Sequence, residues 1–425
     1  MSLRSASDKK VSPELACYRP GEAGYWRVIL ALFAAGVSTF AALYTTQPLL
    51  GLLATHFKIP ASHAAWSVSI TTLLLGIGML VAGPLSDRWG RTGMIKVSLA
   101  ATAVLGIACT VAPSWPVLLV LRGAQGLALA GVPAVALVYL REEVHISVQP
   151  RSTGLYVGGN AIGGMAGRLL AGGVSDLAGW RWGLAAVAVL SGLCAILVMI
   201  TLPASRHAPR SGSGAAVRGG WGDALSAALR AARDRRLACL YLIGFTAMGA
   251  FVAIYNVLGL RLTAAPYGMS VFEASLVFCV YPLGSVGSAV AGRLAERLGR
   301  SAVILAGALF AVAGVAVSVA SPLPVIVVGV AMITIGFFAA HGIACGWAAS
   351  RGHRRGAASQ ASAFYLLAYY VGSSVFGELG TSLWESGRWP AVAMMSGVLL
   401  LIAAVAGGTQ LRGEREARHV SASAM

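Results

Sequence analysis

Twelve apolar runs, each of about twenty residues, dominate this sequence. They fall near 27–53, 64–85, 94–112, 115–139, 153–174, 182–202, 237–260, 273–292, 302–320, 324–347, 358–382 and 390–411. Each is long enough to cross about 30 Å of hydrocarbon as a helix. Periodicity cannot separate helix from strand inside a wholly apolar run, but length can. Membrane barrel strands would be about ten residues long and would alternate. Only 11% of the 425 residues are charged, so a soluble fold of this size would expose far too little polar surface. The expected fold is an all-α polytopic membrane protein with 12 transmembrane helices.

The charges then report topology. Net charge is +17, yet no basic face with base-reading side chains exists, so no nucleic-acid partner is expected. Lys and Arg sit in short clusters between the runs. If both termini are cytoplasmic, 26 of the 32 fall on the cytoplasmic side. Four fall outside (Lys58, Arg181, Arg261 and Arg388), and Arg122 and Arg168 lie inside helices. The positive-inside rule selects this orientation. The first 25 residues are polar and lack the apolar core of a signal peptide. The chain divides into a cytoplasmic tail (1–25), a six-helix half (26–202), a basic cytoplasmic loop (203–236), a second six-helix half (237–411) and a C-terminal tail (412–425). Six scattered cysteines show no ligand spacing, so no metal is expected. No catalytic or nucleotide-binding motif appears, which points away from an enzyme or an ATP-driven pump.

The halves repeat. Residues 81–91 (VAGPLSDRWGR) and 290–300 (VAGRLAERLGR) share seven of eleven identities at an offset of 209. Gly167-Arg168 and Gly377-Glu378 match more weakly at an offset of 210. Two pseudo-symmetric six-helix halves around a central path suit alternating access.

The stretch Gly-x-Leu-x-Asp-Arg-x-Gly-Arg at 83–91 resembles motif A of the major facilitator superfamily, and 292–300 resembles its second copy. Arg122-Gly123-Ala124-Gln125-Gly126 resembles motif B. Residues 155–169, 336–341 and 360–366 are similar to the YnfM-type branch of bacterial inner-membrane, efflux-type transporters. The resemblance implies a proton-driven secondary transporter of a small-molecule substrate. It would be monomeric, in the bilayer of the bacterial inner membrane, with the proton gradient as energy source and no cofactor. Export of a small organic solute is the leading expectation. Uptake by the same fold, and a receptor that does not transport, stay open.

Several residues are candidates for the work. In motif A, Gly83 and Gly90 suit close helix approach and a tight turn, and Asp87 suits the positive N-terminus of a neighbouring helix. Arg88 and Arg91 can bridge to acids such as Glu142 or Glu143, so the cluster can latch one face. Gly292, Glu296, Arg297, Gly299 and Arg300 repeat it. An intramembrane Arg is costly unless it faces a partner or a cavity, which singles out Arg122 and Arg168 for proton coupling, substrate contact or a structural pair. The resemblance associates Arg122 with proton coupling. Glu378 is the acid clearly inside a helix, a candidate proton carrier or a charge partner of Arg168. His341 is the other protonatable candidate. Tyr44, Gln47, Gln125, Asn160, Tyr255, Asn256, Tyr365 and Tyr369 are candidates for a polar-aromatic substrate path or for helix packing. Helix one carries no acid, unlike many drug/proton antiporters of the superfamily, and helix five ends its glycine motif in Arg168. A neutral polar or anionic cargo is therefore expected.

Overall fold

The computed structural model describes residues 17–205 and 221–411. Most of the N-terminal tail, the Gly/Ser stretch of the central loop and the C-terminal tail lie outside the described residues. The N-terminal half begins with α1 (Ala23–Leu43), which unwinds at Tyr44–Thr46, makes one 3-10 turn over Gln47–Leu49 and resumes as α2 (Leu50–Phe57). Pro48 has no N–H to extend α1, and it sits where a new first turn needs none. Then follow α3 (Ala61–Trp89), α4 (Arg91–Thr110), and α5 (Trp115–Leu129) with α6 (Gly131–Glu143) as one stepped span. α7 (Gln149–Ala178) and α8 (Trp180–Thr201) complete the half.

The expected loop 203–236 is partly helical: α9 covers Trp221–Arg233, and α10 (Arg235–Thr263) starts one residue after Asp234. α11 (Val271–Ser275), a 3-10 stretch (Leu276–Val280) and α12 (Tyr281–Leu298) form one broken span. α13 (Arg300–Val317), α14 (Leu323–Arg354) and α15 (Ala358–Gly408) follow. At 51 residues α15 is far longer than one crossing; Arg388 (φ 55, ψ −158) and Pro390 break it into two spans. Ten helical segments among the described residues are long and apolar enough to cross a membrane. Splitting α15 and adding the 30-residue, glycine-rich α7 restores the twelve crossings.

Twelve crossings put both ends of the chain on one face, here called the terminal face, with Lys58, Gly179 and Arg388 on the far face. Gly90 (φ +83) and Gly299 (φ +98) join α3 to α4 and α12 to α13 in a single residue, so the repeated glycine fixes the same tight turn twice. Within the first half, α7 lies on α1. A Cβ at Gly159, Gly163 or Gly167 would collide with the α1 backbone at Phe33, Val37 and Ala41. In hydrocarbon this close approach replaces the hydrophobic drive that would join helices in water. Apolar residues also face outward, among them Val104, Ile107, Leu193 and Val405, as lipid contact requires. The two halves meet along α3–α15 and along α7–α11/α12, which are equivalent pairs under the repeat.

Candidate functional site

Arg122, on α5, is completely buried. Its Nη1 donates to the Ala42 carbonyl (3.0 Å) and Nη2 to the Leu43 carbonyl (2.8 Å), the last carbonyls of α1. Nε donates to the Ser67 carbonyl (3.1 Å), and Nη1 also to Gln125 Oε1 (2.5 Å). Gln125 Nε2 in turn donates to the Thr102 carbonyl (3.0 Å). The guanidinium thus caps a helix that Pro48 forced to end inside the membrane, a favourable place for a cation. Beside it is a void of about 10 Å³, room for about one water. The structure places Arg122 and Gln125 inside the first half, away from the junction of the halves.

Arg168 stands at that junction, only 1% exposed. Its Nε donates to Gln47 Oε1 (2.6 Å), Nη1 to the Gly164 carbonyl (2.5 Å) and Nη2 to the Tyr281 hydroxyl (3.1 Å). The rings of Tyr44, Phe278 and Tyr281 lie 4.3, 4.7 and 4.7 Å from its Cζ. The anticipated pair with Glu378 does not form, since aromatic faces and amide oxygens hold this cation instead. Glu378 is half-buried on α15 and makes no ion pair among the described residues. From Arg168 the hydrogen bonds continue: Gln47 Nε2 donates to Asn256 Oδ1 (2.7 Å), and Asn256 Nδ2 to the Gly377 carbonyl (3.2 Å). Gln47 and Asn256 differ by 209, and so do 168 and 377. The chain of bonds therefore crosses between the halves almost symmetrically.

Farther out, two carboxylates hold the halves together. Asp176, near the end of α7, accepts from the backbone N–H of Val271 (3.0 Å) and Phe272 (2.8 Å). Glu385 on α15 accepts from the backbone N–H (2.9 Å) and hydroxyl (3.1 Å) of Ser62. Each acid thus caps the first turn of a span in the opposite half. Positions 176 and 385, and 62 and 271, differ by 209, so the same clasp is built twice. Nearer the midplane, the Ser374 hydroxyl on α15 donates to the Ser69 carbonyl (2.8 Å) and can then accept from the Thr72 hydroxyl (2.9 Å). Neither acid stands out in the sequence except by its place at a helix end, and the shared offset of 209 is the signal that pairs them.

An aromatic cluster fills the second half beside Arg168. His341 Nδ1 is hydrogen-bonded to the Tyr365 hydroxyl (2.9 Å). Its ring stacks on Phe337 (5.5 Å, 4°) and lies 4.6 Å from Tyr369. Phe251 joins Phe337, Phe338 and Tyr281 to the same cluster. His341 and Tyr369 are half-buried, whereas Tyr365 and Tyr255 are buried; Tyr255 bonds the Thr334 hydroxyl (2.7 Å) within the second half. Asn160 lies against Gly36 of α1, and its buried Oδ1 has no hydrogen-bond partner among the described residues. Tyr281, Phe337 and Phe338 are site candidates that apolar runs gave no reason to select.

On the terminal face, Arg91 pairs with Asp87 (2.6 Å) and Glu142 (3.3 Å) and donates to Ser86 Oγ (2.6 Å). This places the expected bridge to Glu142 on Arg91. Arg88 is exposed instead of bridging, and Glu143 takes the Ser205 hydroxyl (2.6 Å). Asp87 bonds within its own half, to Arg91, the first residue of α4. A Cβ at Gly83 or Gly292 would meet nothing within 4 Å, so the close helix approach expected at these glycines is not made in this conformation. In the second copy Glu296 and Arg297 are exposed, and Gly292, Glu296 and Arg300 border an open cavity of 480 Å³.

The sequence profile of the Major Facilitator Superfamily matches residues 32–377. The chain is 37% identical over 409 residues to the Escherichia coli inner membrane transport protein YnfM, covering 95% of each. It is also 37% identical over 387 residues to the uncharacterized MFS-type transporter YybF of Bacillus subtilis, covering 91% of this chain and 93% of that one. Among solved structures it resembles a bacterial homolog of the human lysosomal transporter Spinster, inward-facing and unoccupied. The TM-score is 0.74 at 15% identity, over 94% of this chain and 99% of that one. The protein is a multi-pass membrane transporter, and it belongs to the Major Facilitator Superfamily.

Proposed function

We propose that this transporter is a proton-driven exporter of a small organic solute, neutral or anionic. It works as a monomer by alternating access in the bacterial inner membrane, with both termini cytoplasmic. One observation carries the mechanism: every half-to-half hydrogen bond described above lies from Thr72 outward to the far face, while the motif A ion cluster bonds within one half. This arrangement is what a carrier closed on the far face and released on the terminal face requires. In the opposite state the clasps at Asp176 and Glu385 would open and Asp87 would find a helix end of the second half.

The cargo reading rests on the lining. Half-buried His341 and Tyr369 belong to the aromatic cluster that reaches Arg168 through Phe337, Phe251 and Tyr281. Together they offer aromatic faces and cationic or neutral donors, with no carboxylate among these residues to hold a cation. Glu378 and His341 are the proposed proton-carrying groups, with the gradient as energy source and no bound cofactor. Export follows the likeness to the efflux-type branch.

Inverted membrane vesicles with an imposed pH gradient test the proposal, screened for solute-induced proton movement. The expected result is solute accumulation with proton release, retained by Tyr369→Phe and weakened mainly in KM by Tyr369→Ala. Loss of proton movement with retained solute exchange in Glu378→Gln would assign the carrier. Solute movement indifferent to the gradient would remove the coupling. Binding without any movement would favour a receptor.

A further inference from the structure

The junction between α9 and α10 carries a feature that transport does not use. An open cavity of 680 Å³ lies on the terminal face between α9, the start of α10 and the end of α14. Six arginines line it (Arg230, Arg233, Arg235, Arg236, Arg351 and Arg355), against one acid, Asp234. That acid is already fully used. It accepts from Arg351 Nε (2.9 Å) and Nη2 (2.8 Å), lies 3.3 Å from Arg355 Nε, and caps α10 through the N–H groups of Arg236 and Leu237.

Four guanidinium groups are left over. Arg230 bonds only the Ser226 hydroxyl (3.0 Å), and Arg233, Arg235 and Arg236 have no acidic partner among the described residues. Like charges this close repel one another, and an anion in the cavity would relieve that repulsion. Guanidinium forks match the paired oxygens of a phosphate better than any single point charge does. The wall has one apolar member, Leu229, 44% exposed. A cationic cup with an apolar lip at a membrane surface suits a headgroup whose chains run alongside.

We propose that this cavity binds an anionic phosphate group and thereby fixes the linker helix to the second half. Two sources carry this chemistry, the headgroup of an anionic phospholipid and a soluble phosphate.

The purified full-length protein in neutral detergent separates them. It is titrated with phosphatidylglycerol, with phosphatidylcholine and with inorganic pyrophosphate, and bound molecules are counted by native mass spectrometry beside the thermal midpoint. The expected result is that phosphatidylglycerol binds and phosphatidylcholine does not. Arg233→Gln/Arg236→Gln should weaken that binding about tenfold, roughly 1.4 kcal/mol. Arg141→Gln/Arg151→Gln, which removes two exposed charges from the other half of the same face, should leave it unchanged. Arg230→Gln/Arg235→Gln repeats the test should the first pair fold poorly. Pyrophosphate binding that the pocket variants abolish, with no lipid effect, supports the phosphate site and assigns it a soluble ligand. Equal phosphatidylglycerol binding in pocket and control variants, or no binding of either anion, overturns the proposal and leaves the arginines as topology signals.

Discussion

Arg122 and Arg168, the two most deeply buried arginines among the described residues, have no carboxylate partner and are stabilised differently. Arg122 fills the acceptors of a broken helix: the carbonyls of Ala42 and Leu43, with no N–H of their own helix to serve them. Arg122→Met strands both in an apolar interior, and each orphaned group costs about 1–3 kcal/mol. Thermal unfolding in detergent should therefore place Arg122→Met about 2–4 kcal/mol below the wild type. Arg122→Lys should fall between them, because an ammonium reaches fewer of these diverging acceptors. A Met variant as stable as the wild type would remove the capping argument. Asp234 gives a pH prediction outside the membrane. Burial works against its ionisation, but the Arg351 bonds and the N–H groups of Leu237 and Arg236 outweigh it and hold its pKa below 3.8. A depressed carboxylate contributes stability that is fully present above its ordinary pKa and lost as pH falls through the folded value. The stability gap between wild type and Asp234→Asn should be flat above about pH 5 and close below about pH 4. A gap that narrows near neutrality instead would point to another group.

At the scale of elements, helix ends do the joining. Asp176 and Glu385 each hold the first turn of a span in the opposite half. Both acids are exposed, so each clasp contributes about 0.3–1 kcal/mol to the far-face-closed state. Asp176→Ala and Glu385→Ala should each raise the far-face-open population about two- to fivefold, and the double variant by about the product. Spin-label distances across the far face read this directly; unchanged distributions in the double variant would mean the clasps are ornamental. Much of this architecture was legible. Run length gave the crossings, and the repeat at 81–91 and 290–300 gave the two halves. The breaks were harder to read, because Pro48 with Thr45, Thr46 and Gln47 lies inside one membrane-length run and its effect depends on which carbonyls find a donor. The clasps were hidden because their other partner is a backbone N–H, which every residue but proline owns. The expected Arg168–Glu378 pair failed on register: at an offset of 210 they correspond, but the contacts follow 209, which matches Arg168 to Gly377. One residue along a helix turns a side chain by about 100°, and that moves Glu378 off the shared face.

For the whole molecule, the proposed alternating access makes the two faces competing ends of one equilibrium. The far face is held by the two clasps, the Gln47–Asn256 bond and the Ser374 contacts; the terminal face has motif A, with Asp87 bonded to Arg91 alone among the described residues. If the halves rock as units, contacts at opposite faces act on the same population ratio, and their free energies subtract. In the present state Asp87→Asn loses the half-exposed pair with Arg91 within one half; it should weaken the state in which Asp87 meets the second half more, deepening the far-face-closed population. Asp176→Ala should do the reverse. Combined, they should restore a distribution near that of the wild type while leaving both barriers altered, so the spin-label distances recover but the turnover rate does not. Distances that follow Asp176→Ala alone, whatever stands at position 87, would show that the faces open independently and that no single rocking motion couples them. Compensation would make the duplicated sequence itself the mechanism: the clasps at 62–385 and 271–176 are one contact written twice, and breaking either copy should bias the halves in the same direction.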